Sequence, residues 1–101
     1  MSSPERYLEV SDQARSDIRG IIGYTFEVFG EQQAIAYESE IFDALGRLLV
    51  FPSVGPAVSD RDPLERVLTV RSHRIWYRIR IDRIEIAAIT HAKSLRNPFE
   101  Q

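Results

Sequence analysis

The stretch that decides the fold is ERVLTVRSHRIWYRIRIDRIEIAAIT, residues 65–90, in which apolar and polar side chains alternate. Alternation with a period of two is typical of a strand with one buried face, so we predict strands over 65–70 and 74–81. A last strand begins at Arg83 or Ile84, after a turn at Asp82 and Arg83, and ends at Thr90. Connections this short predict a meander of antiparallel hairpins.

Two helices are predicted on the N-terminal side of these strands. Over residues 12–29 and 31–50, apolar side chains recur at spacings of three and four, which is the pattern of an amphipathic helix. Ser11 is suited to cap the first helix, and Gly30 stands where that helix must stop. Residues 6–10 predict a short leading strand. Residues 52–63, with three prolines and one glycine, predict a loop.

The first helix has an apolar stripe that should face the rest of the fold. Its members are Ala14, Ile18, Ile21, Ile22, Thr25, Phe26 and Phe29. Gly20 and Gly23 lie in the interior of the same helix, where each costs about 1 kcal/mol relative to alanine. We expect a neighbouring element to approach these two glycines closely.

The order of the elements defines the fold class. The order strand-helix-helix-strand-strand-strand predicts an α+β domain, in which a helical hairpin covers one face of an antiparallel sheet. A chain of 101 residues is the size of one domain, so residues 1–101 are predicted to form a single unit. The tail, residues 91–101, has no clear period, and we expect it to be the flexible part.

Composition narrows the classes of protein to consider. The chain has no cysteine, which excludes disulfides and thiolate chemistry and fits a reducing compartment. No apolar run approaches the ~20 residues of a membrane-spanning helix. The N-terminus lacks the apolar stretch of a signal peptide, so we expect a cytoplasmic protein. The net charge of −2 is uneven, because residues 1–55 have four basic and nine acidic side chains, whereas residues 56–101 have nine basic and six acidic ones.

The strand at 74–81 predicts a candidate binding surface. One side of it, expected to face the helices, has Ile75, Tyr77, Ile79 and Ile81. The other side, which we name the Arg/Trp face, has Arg74, Trp76, Arg78 and Arg80. Arginine and tryptophan are enriched in binding hot spots, and the set suits an acidic peptide or an RNA. The simpler alternatives are a solvated face with ion pairs to Asp82 and Glu85, or arginine stems that shield Trp76.

Catalytic and metal-binding motifs are missing from the sequence. There is no nucleophile elbow, no Gly-rich phosphate loop and no zinc-protease motif. His73 and His91 are eighteen positions apart, at predicted strand ends, and nothing in the sequence gathers around either one. Because metal sites need clustered ligands, we expect no metal, no cofactor and no catalytic residue.

Two stretches taken together resemble a known family. They are IIGYTFEVFGEQQAIAYESEIFDALGRLLVFPSVG, residues 21–55, and RVLTVRSHRIWYRIRIDRIEIAAITHAK, residues 66–93. In order and spacing they resemble the ParE branch of the RelE/ParE toxin superfamily. The features shared with it are Gly30 at the helical corner, Tyr37 in a Q-A-x-x-Y run, Pro52 and Gly55 after the second helix, and Arg74, Tyr77, Arg78, Asp82, Ile86 and His91 in the strand pair.

The resemblance implies the toxin of a bacterial type II toxin–antitoxin pair, of the kind linked to plasmid stabilisation. It implies DNA gyrase as the target and a ParD-like antitoxin as the partner in a hetero-oligomer, with operator DNA bound only through the antitoxin. An acidic, partly apolar antitoxin segment would suit Arg74, Trp76, Arg78 and Arg80. Target contact is assigned to the polar, aperiodic tail, through Lys93, Arg96 and Phe99.

Two alternatives remain open within the superfamily. RelE-type toxins cut messenger RNA on the ribosome with basic residues and a late tyrosine. Val67 and Thr69 stand where that pattern has lysines, and Phe99 or Glu100 stands where it has the tyrosine. Arg74 is the one basic position that is kept securely, which favours gyrase inhibition over RNA cleavage. The other alternative is a homologue without toxicity that only binds its antitoxin.

Overall fold

Two helices and four strands follow one another in the predicted order. The structure, a computed structural model, describes residues 5–100; the ends of the predicted domain and tail, residues 1–4 and 101, lie outside them. The elements are β1 (Tyr7–Val10), α1 (Asp12–Phe29), α2 (Glu31–Val50), β2 (Glu65–Val70), β3 (His73–Ile79) and β4 (Arg83–His91). The α+β class is confirmed, and so are the bounds of both helices and of β2.

The sheet is mixed rather than wholly antiparallel. Its strand order is β1-β4-β3-β2, and the β2–β3 and β3–β4 pairs are antiparallel, as predicted. β1, however, runs parallel to β4, with Tyr7 opposite Arg83 and Val10 opposite Ile86. This direction is possible because two helices and two other strands separate β1 from β4, so that no tight hairpin imposes an antiparallel pairing.

A bulge at Ala87 shifts the register between β3 and β4. Tyr77 lies opposite Ile86 but Trp76 lies opposite Ala88, so Ala87 is an extra residue. Ser11, the N-cap of α1, is bonded to this bulge. Its Oγ accepts from the N–H of Ala14 at 3.0 Å and donates to the carbonyl of Ala87 at 2.7 Å. The cap that the sequence predicts therefore also fastens α1 to the sheet.

The core lies between the helices and one face of the sheet. Ile75, Tyr77 and Ile79 point into it, as the alternation predicted. Ile81 does not, because β3 has ended at Ile79, and its side chain is 81% exposed. The fully buried large side chains are Tyr77, Ile41, Leu45, Leu48, Ile75, Ile84 and Ile86. The prediction for Ile81 is therefore wrong.

The apolar stripe of α1 is buried only in part. Ala14 and Thr25 are buried, but Phe26 and Phe29 are 54% and 63% exposed. A Cβ added at Gly20 or Gly23 would meet no described atom within 4 Å. The expected close approach to these glycines is therefore wrong.

The loop before β2 is anchored by the hydroxyl of Tyr77. This Oη donates to the carbonyl of Pro52 at 2.6 Å and accepts from the N–H of Gly55 at 3.0 Å. The backbone passes so close to the sheet at Gly55 that an added Cβ would stand 2.6 Å from the carbonyl oxygen of Val67. Arg66 fixes the same point, because its Nη1 donates to the carbonyl of Gly55 at 2.8 Å.

Candidate functional site

The Arg/Trp face lies on the side of the sheet opposite the helices. β3 places Arg74, Trp76 and Arg78 there because side chains of a strand alternate between its two faces. Arg80 lies just beyond the end of β3, where its N–H donates to the carbonyl of Arg83 at 2.9 Å. Each of the three strand residues has a neighbour on both sides: Thr69 and Thr90 beside Arg74, Val67 and Ala88 beside Trp76, and Glu65 and Glu85 beside Arg78.

Trp76 is buried on this face. Its side chain is 6% exposed, and its indole Nε1 donates to the hydroxyl of Thr90 at 2.9 Å. The ring of Phe99 covers it edge to face, with ring centroids 5.9 Å apart. Trp76 is therefore not presented openly to a partner, in contrast to the open face that the alternation predicted.

Most of the arginines on or beside this face are paired with carboxylates. Arg78 Nε lies 2.9 Å from Glu65 Oε2, and Arg80 Nε lies 2.8 Å from Glu85 Oε1. The ion pair predicted with Glu85 is present. Arg74 is half-buried and has no ion-pair partner among the described residues. Carboxylates therefore balance the charges of Arg78 and Arg80, whereas that of Arg74 is not balanced by an ion pair within the described residues.

Arg83 and Glu85 form an ion-pair cluster at the end of the sheet. Arg83 approaches Asp82 at 2.8 Å, Glu9 at 3.2 Å and Glu85 at 3.3 Å. Partial burial opposes ionisation of Glu85, but the hydrogen bond and charge of Arg80, with the charge of Arg83, outweigh it and lower the pKa of that carboxyl. Through the ion pair of Glu9 with Arg83, the cluster holds β1 against β4.

The tail contributes one residue to the Arg/Trp face and presents two others outward. Phe99 packs on Trp76, and the guanidinium carbon of Arg78 lies 4.3 Å from the centre of the Phe99 ring. Lys93 and Arg96 are exposed, and their described hydrogen bonds are made by their backbone N–H groups. The residues assigned to two different partners are therefore in direct contact.

Tyr37, His73 and His91 form a cluster that was not predicted from the sequence. The hydroxyl of Tyr37 shares a hydrogen bond of 2.5 Å with Nδ1 of His73, and the imidazoles of His73 and His91 stand 5.3 Å apart. The expectation that nothing gathers around either histidine is therefore wrong. The available signal was that both histidines stand at the outer ends of two strands joined by a short turn. The Ala87 bulge then decides that His91, rather than Thr90, faces His73.

The cluster stands beside a groove of about 780 Å³ between the helices and the ends of β3 and β4. Its walls include Gly20, Tyr24, Phe29 and Tyr37. Burial, followed by the charge of His91, lowers the pKa of His73. Burial, followed by the charge of Glu40, raises the pKa of Tyr37. Within residues 5–100, no group of three or more His, Cys, Asp or Glu side chains is placed to hold a metal ion.

The match to a family model decides what kind of protein this is. The model describes the ParE toxin of type II toxin-antitoxin system, parDE, and it matches residues 8–96. The chain belongs to the ParE toxin family. The matched range takes in nearly all of the sheet and both helices, Arg74 to Arg80, and the tail as far as Arg96, but not Phe99.

Similarities to individual proteins support the same family. The chain is 29% identical, over 89 residues, to Toxin ParE1 of Mycobacterium tuberculosis, from strains CDC 1551 / Oshkosh and ATCC 25618 / H37Rv; the alignment covers 87% of this chain and 90% of the relative. A solved structure titled as the chromosomal ParDE TA system from P. aeruginosa has the same fold, with a TM-score of 0.74 and 19% identity over 88% of this chain and 98% of that chain. In the described part of this ParE-family chain, no helix is long and apolar enough to cross a membrane.

Proposed function

We propose that this ParE-family chain is a toxin that inhibits DNA gyrase without catalysing a reaction, and that a ParD-like antitoxin neutralises it in the cytoplasm. The observation that supports this most is the family match over residues 8–96. The gyrase target is inferred from the resemblance to the ParE branch rather than to the RelE branch.

The antitoxin is proposed to bind the Arg/Trp face. Arg74 is half-buried there with no ion-pair partner among the described residues, so an incoming carboxylate would pair with a cation that is already positioned. Operator DNA would be bound through the antitoxin in the hetero-oligomer. The net charge of −2 and the pI of about 5.7 are consistent with that division of roles, since DNA-binding domains are usually basic.

The target is proposed to contact the tail through Lys93, Arg96 and Phe99. The first two side chains are exposed. Their exposure makes them accessible to a macromolecular partner, and loss of a hot-spot arginine typically weakens binding by about 2 kcal/mol or more.

RNA cleavage is the second candidate, and one feature favours it. Arg74, His91 and Lys93 are basic or titratable groups near one end of the sheet, and RNA cleavage needs cations and an acid or base. Against it, Val67 lies beside the buried Trp76 where the nuclease pattern has a lysine. An inert homologue is the third candidate.

One paired experiment tests these candidates. The purified chain is assayed for inhibition of gyrase supercoiling and, in parallel, for cleavage of messenger RNA on programmed ribosomes. Inhibited supercoiling with intact RNA is the expected result. Cut RNA with normal supercoiling would transfer the chain to the nuclease branch, and activity in neither assay would favour the inert homologue.

A further inference from the structure

The tail places an aromatic ring on the surface proposed for the antitoxin. Phe99 meets Trp76 edge to face at 5.9 Å between ring centroids, and the Arg78 guanidinium carbon lies 4.3 Å from the centre of the Phe99 ring. Both arrangements are favourable, the first for aromatic pairs and the second for a cation over a π-system. The surface proposed for the antitoxin and the tail proposed for the target therefore overlap at one residue.

The ring of Phe99 covers a surface that would otherwise be open. Within residues 5–100, both helices pack on the other side of the sheet, and the cross-strand neighbours of Trp76 are Val67 and Ala88, which are smaller than Trp76. Trp76 is nevertheless 6% exposed. The ring of Phe99, which contacts both Trp76 and Arg78, contributes to that burial.

Few described hydrogen bonds hold the tail in this position. The N–H of Ala92 donates to the carbonyl of Ser72 at 2.6 Å, and this is the last described backbone hydrogen bond from the tail to a residue outside it. Beyond it, the described bonds are local, such as the N–H of Phe99 to Asn97 Oδ1 at 2.9 Å. Leu95 is fully exposed. The ring of Phe99 can therefore leave Trp76 without any strand pairing being broken.

We propose that Phe99 is a displaceable latch on the Arg/Trp face, and that a segment of the antitoxin takes its place. The existence of that antitoxin rests on the proposed function. The tail itself indicates the chemistry of the incoming segment, because the seated Phe99 is followed by the exposed carboxylate of Glu100. An aromatic residue flanked by acidic ones would fill the seat between Trp76 and Arg78 and offer a carboxylate to Arg74.

Displacement of the latch has a consequence for the target. When the antitoxin segment occupies the position of the Phe99 ring, Phe99 is displaced. The part of the tail after Ala92, residues 93–100, is then released from the sheet. Because Phe99 is also proposed to contact the target, binding of the antitoxin segment would change the position of a target-contacting residue. The family match ends at residue 96, so the latch lies in a part of this chain beyond the matched range.

The test uses the full chain and a fluorescein-labelled synthetic peptide in which one phenylalanine is flanked on both sides by glutamates. If the latch occludes the seat most of the time, the apparent Kd is raised by the inverse of the open fraction. Phe99→Ala is therefore expected to bind this peptide about tenfold more tightly than the unchanged chain does. Trp76 is the only tryptophan, so its emission should shift to the red in Phe99→Ala and back to the blue when the peptide binds.

Controls separate the latch from a general effect of the tail. Phe99→Tyr retains the ring and should bind the peptide like the unchanged chain, and so should Leu95→Ala, which alters an exposed tail residue. A peptide with alanine in place of phenylalanine should bind weakly to every variant. Equal or weaker binding by Phe99→Ala, or no binding of the phenylalanine peptide to any variant, would overturn the latch. No gyrase is present, so that failure is distinct from a failure of the supercoiling assay.

Discussion

His73 lies directly opposite His91 across the β3–β4 pair, with ring centroids 5.3 Å apart and ring planes at 80°. The pairing exists because the Ala87 bulge shifts the register by one residue. The hydroxyl of Tyr37 completes the cluster through Nδ1 of His73. A proton added to His73 would enter a half-buried site beside a second imidazole.

Acidification is therefore expected to destabilise the fold through His73. Burial and His91 lower the pKa of His73 from its ordinary value of 6.5, so the unfolded chain binds protons more readily than the folded one. The contribution of neutral His73 to the free energy of unfolding is fully present at pH values above the pKa that His73 has in the unfolded chain. It is lost as the pH falls below that pKa. Urea unfolding measured between about pH 8 and pH 5.5 should show a falling free energy of unfolding.

The variant His73→Gln tests the assignment. It cannot be protonated, so its free energy of unfolding should depend less on pH over that range. The low-pKa carboxyl of Glu85 titrates at lower pH and does not interfere. The same pH dependence in both proteins would mean that His73 is not the source.

The hydrogen bond from Trp76 to Thr90 should stabilise the sheet. Thr90→Val keeps the shape of the side chain but leaves the buried indole N–H without its acceptor, which costs about 1–3 kcal/mol. Thermal or urea unfolding would measure that loss. In a Trp76→Phe background, which has no indole N–H, Thr90→Val should have little effect. An equal cost in both backgrounds would show that packing, and not the hydrogen bond, is responsible.

Replacement of glycine by alanine should lower the stability of the fold at Gly55 and raise it at Gly46. Gly55→Ala forces a Cβ against the carbonyl oxygen of Val67 and the hydroxyl of Tyr77, so it should destabilise the fold by about 1–3 kcal/mol. Gly46→Ala, in the exposed interior of α2, meets no described atom and should stabilise by about 0.5–1 kcal/mol. Unfolding free energies of the two variants give the comparison, and a neutral Gly55→Ala would contradict the close approach.

Arg74 should contribute more to antitoxin binding than an exposed arginine outside the Arg/Trp face does. Arg74→Gln removes the one cation of the Arg/Trp face without an ion-pair partner among the described residues, and should weaken the antitoxin complex by about 1–2 kcal/mol. Arg61→Gln, in the loop before β2, removes the same charge elsewhere and serves as the matched control. Calorimetric titration of both variants would measure the difference. Equal Kd values would remove Arg74 from the interface.

Truncation of Trp76 should affect both antitoxin binding and the stability of the fold. If Trp76 is a hot spot of the antitoxin interface, Trp76→Ala should weaken the antitoxin complex by about 2 kcal/mol or more. Because the side chain is buried and bonded to Thr90, the same change should also lower the free energy of unfolding by about 3 kcal/mol. Binding should therefore be measured well below the melting temperature of the variant. An unchanged Kd would place Trp76 outside the interface.

Some of the candidate site could be predicted from the sequence, and the reason is geometric. The alternation from Arg74 to Ile79 assigned each side chain to the correct face. Successive side chains of any strand point to opposite faces of its sheet, whichever strands lie beside it. An ion pair from this face to Glu85 was one of the predicted alternatives, and Arg80 forms it. The contact of Phe99 with Trp76 was not predicted, because twenty-three positions of sequence and a chain reversal separate them, and no periodicity reports that distance.

The sequence by itself determined the elements of this protein. Both helices, the stop at Gly30, the cap at Ser11 and the strand β2 follow from local patterns, because hydrophobic period and cap chemistry depend on residues a few positions apart. Tertiary structure alone decided that β1 joins β4 in parallel, that Ala87 bulges so that His73 meets His91, and that Phe99 seats on Trp76. Each of these is a choice among long-range pairings of similar local cost, and it is the packing of the whole chain that selects one.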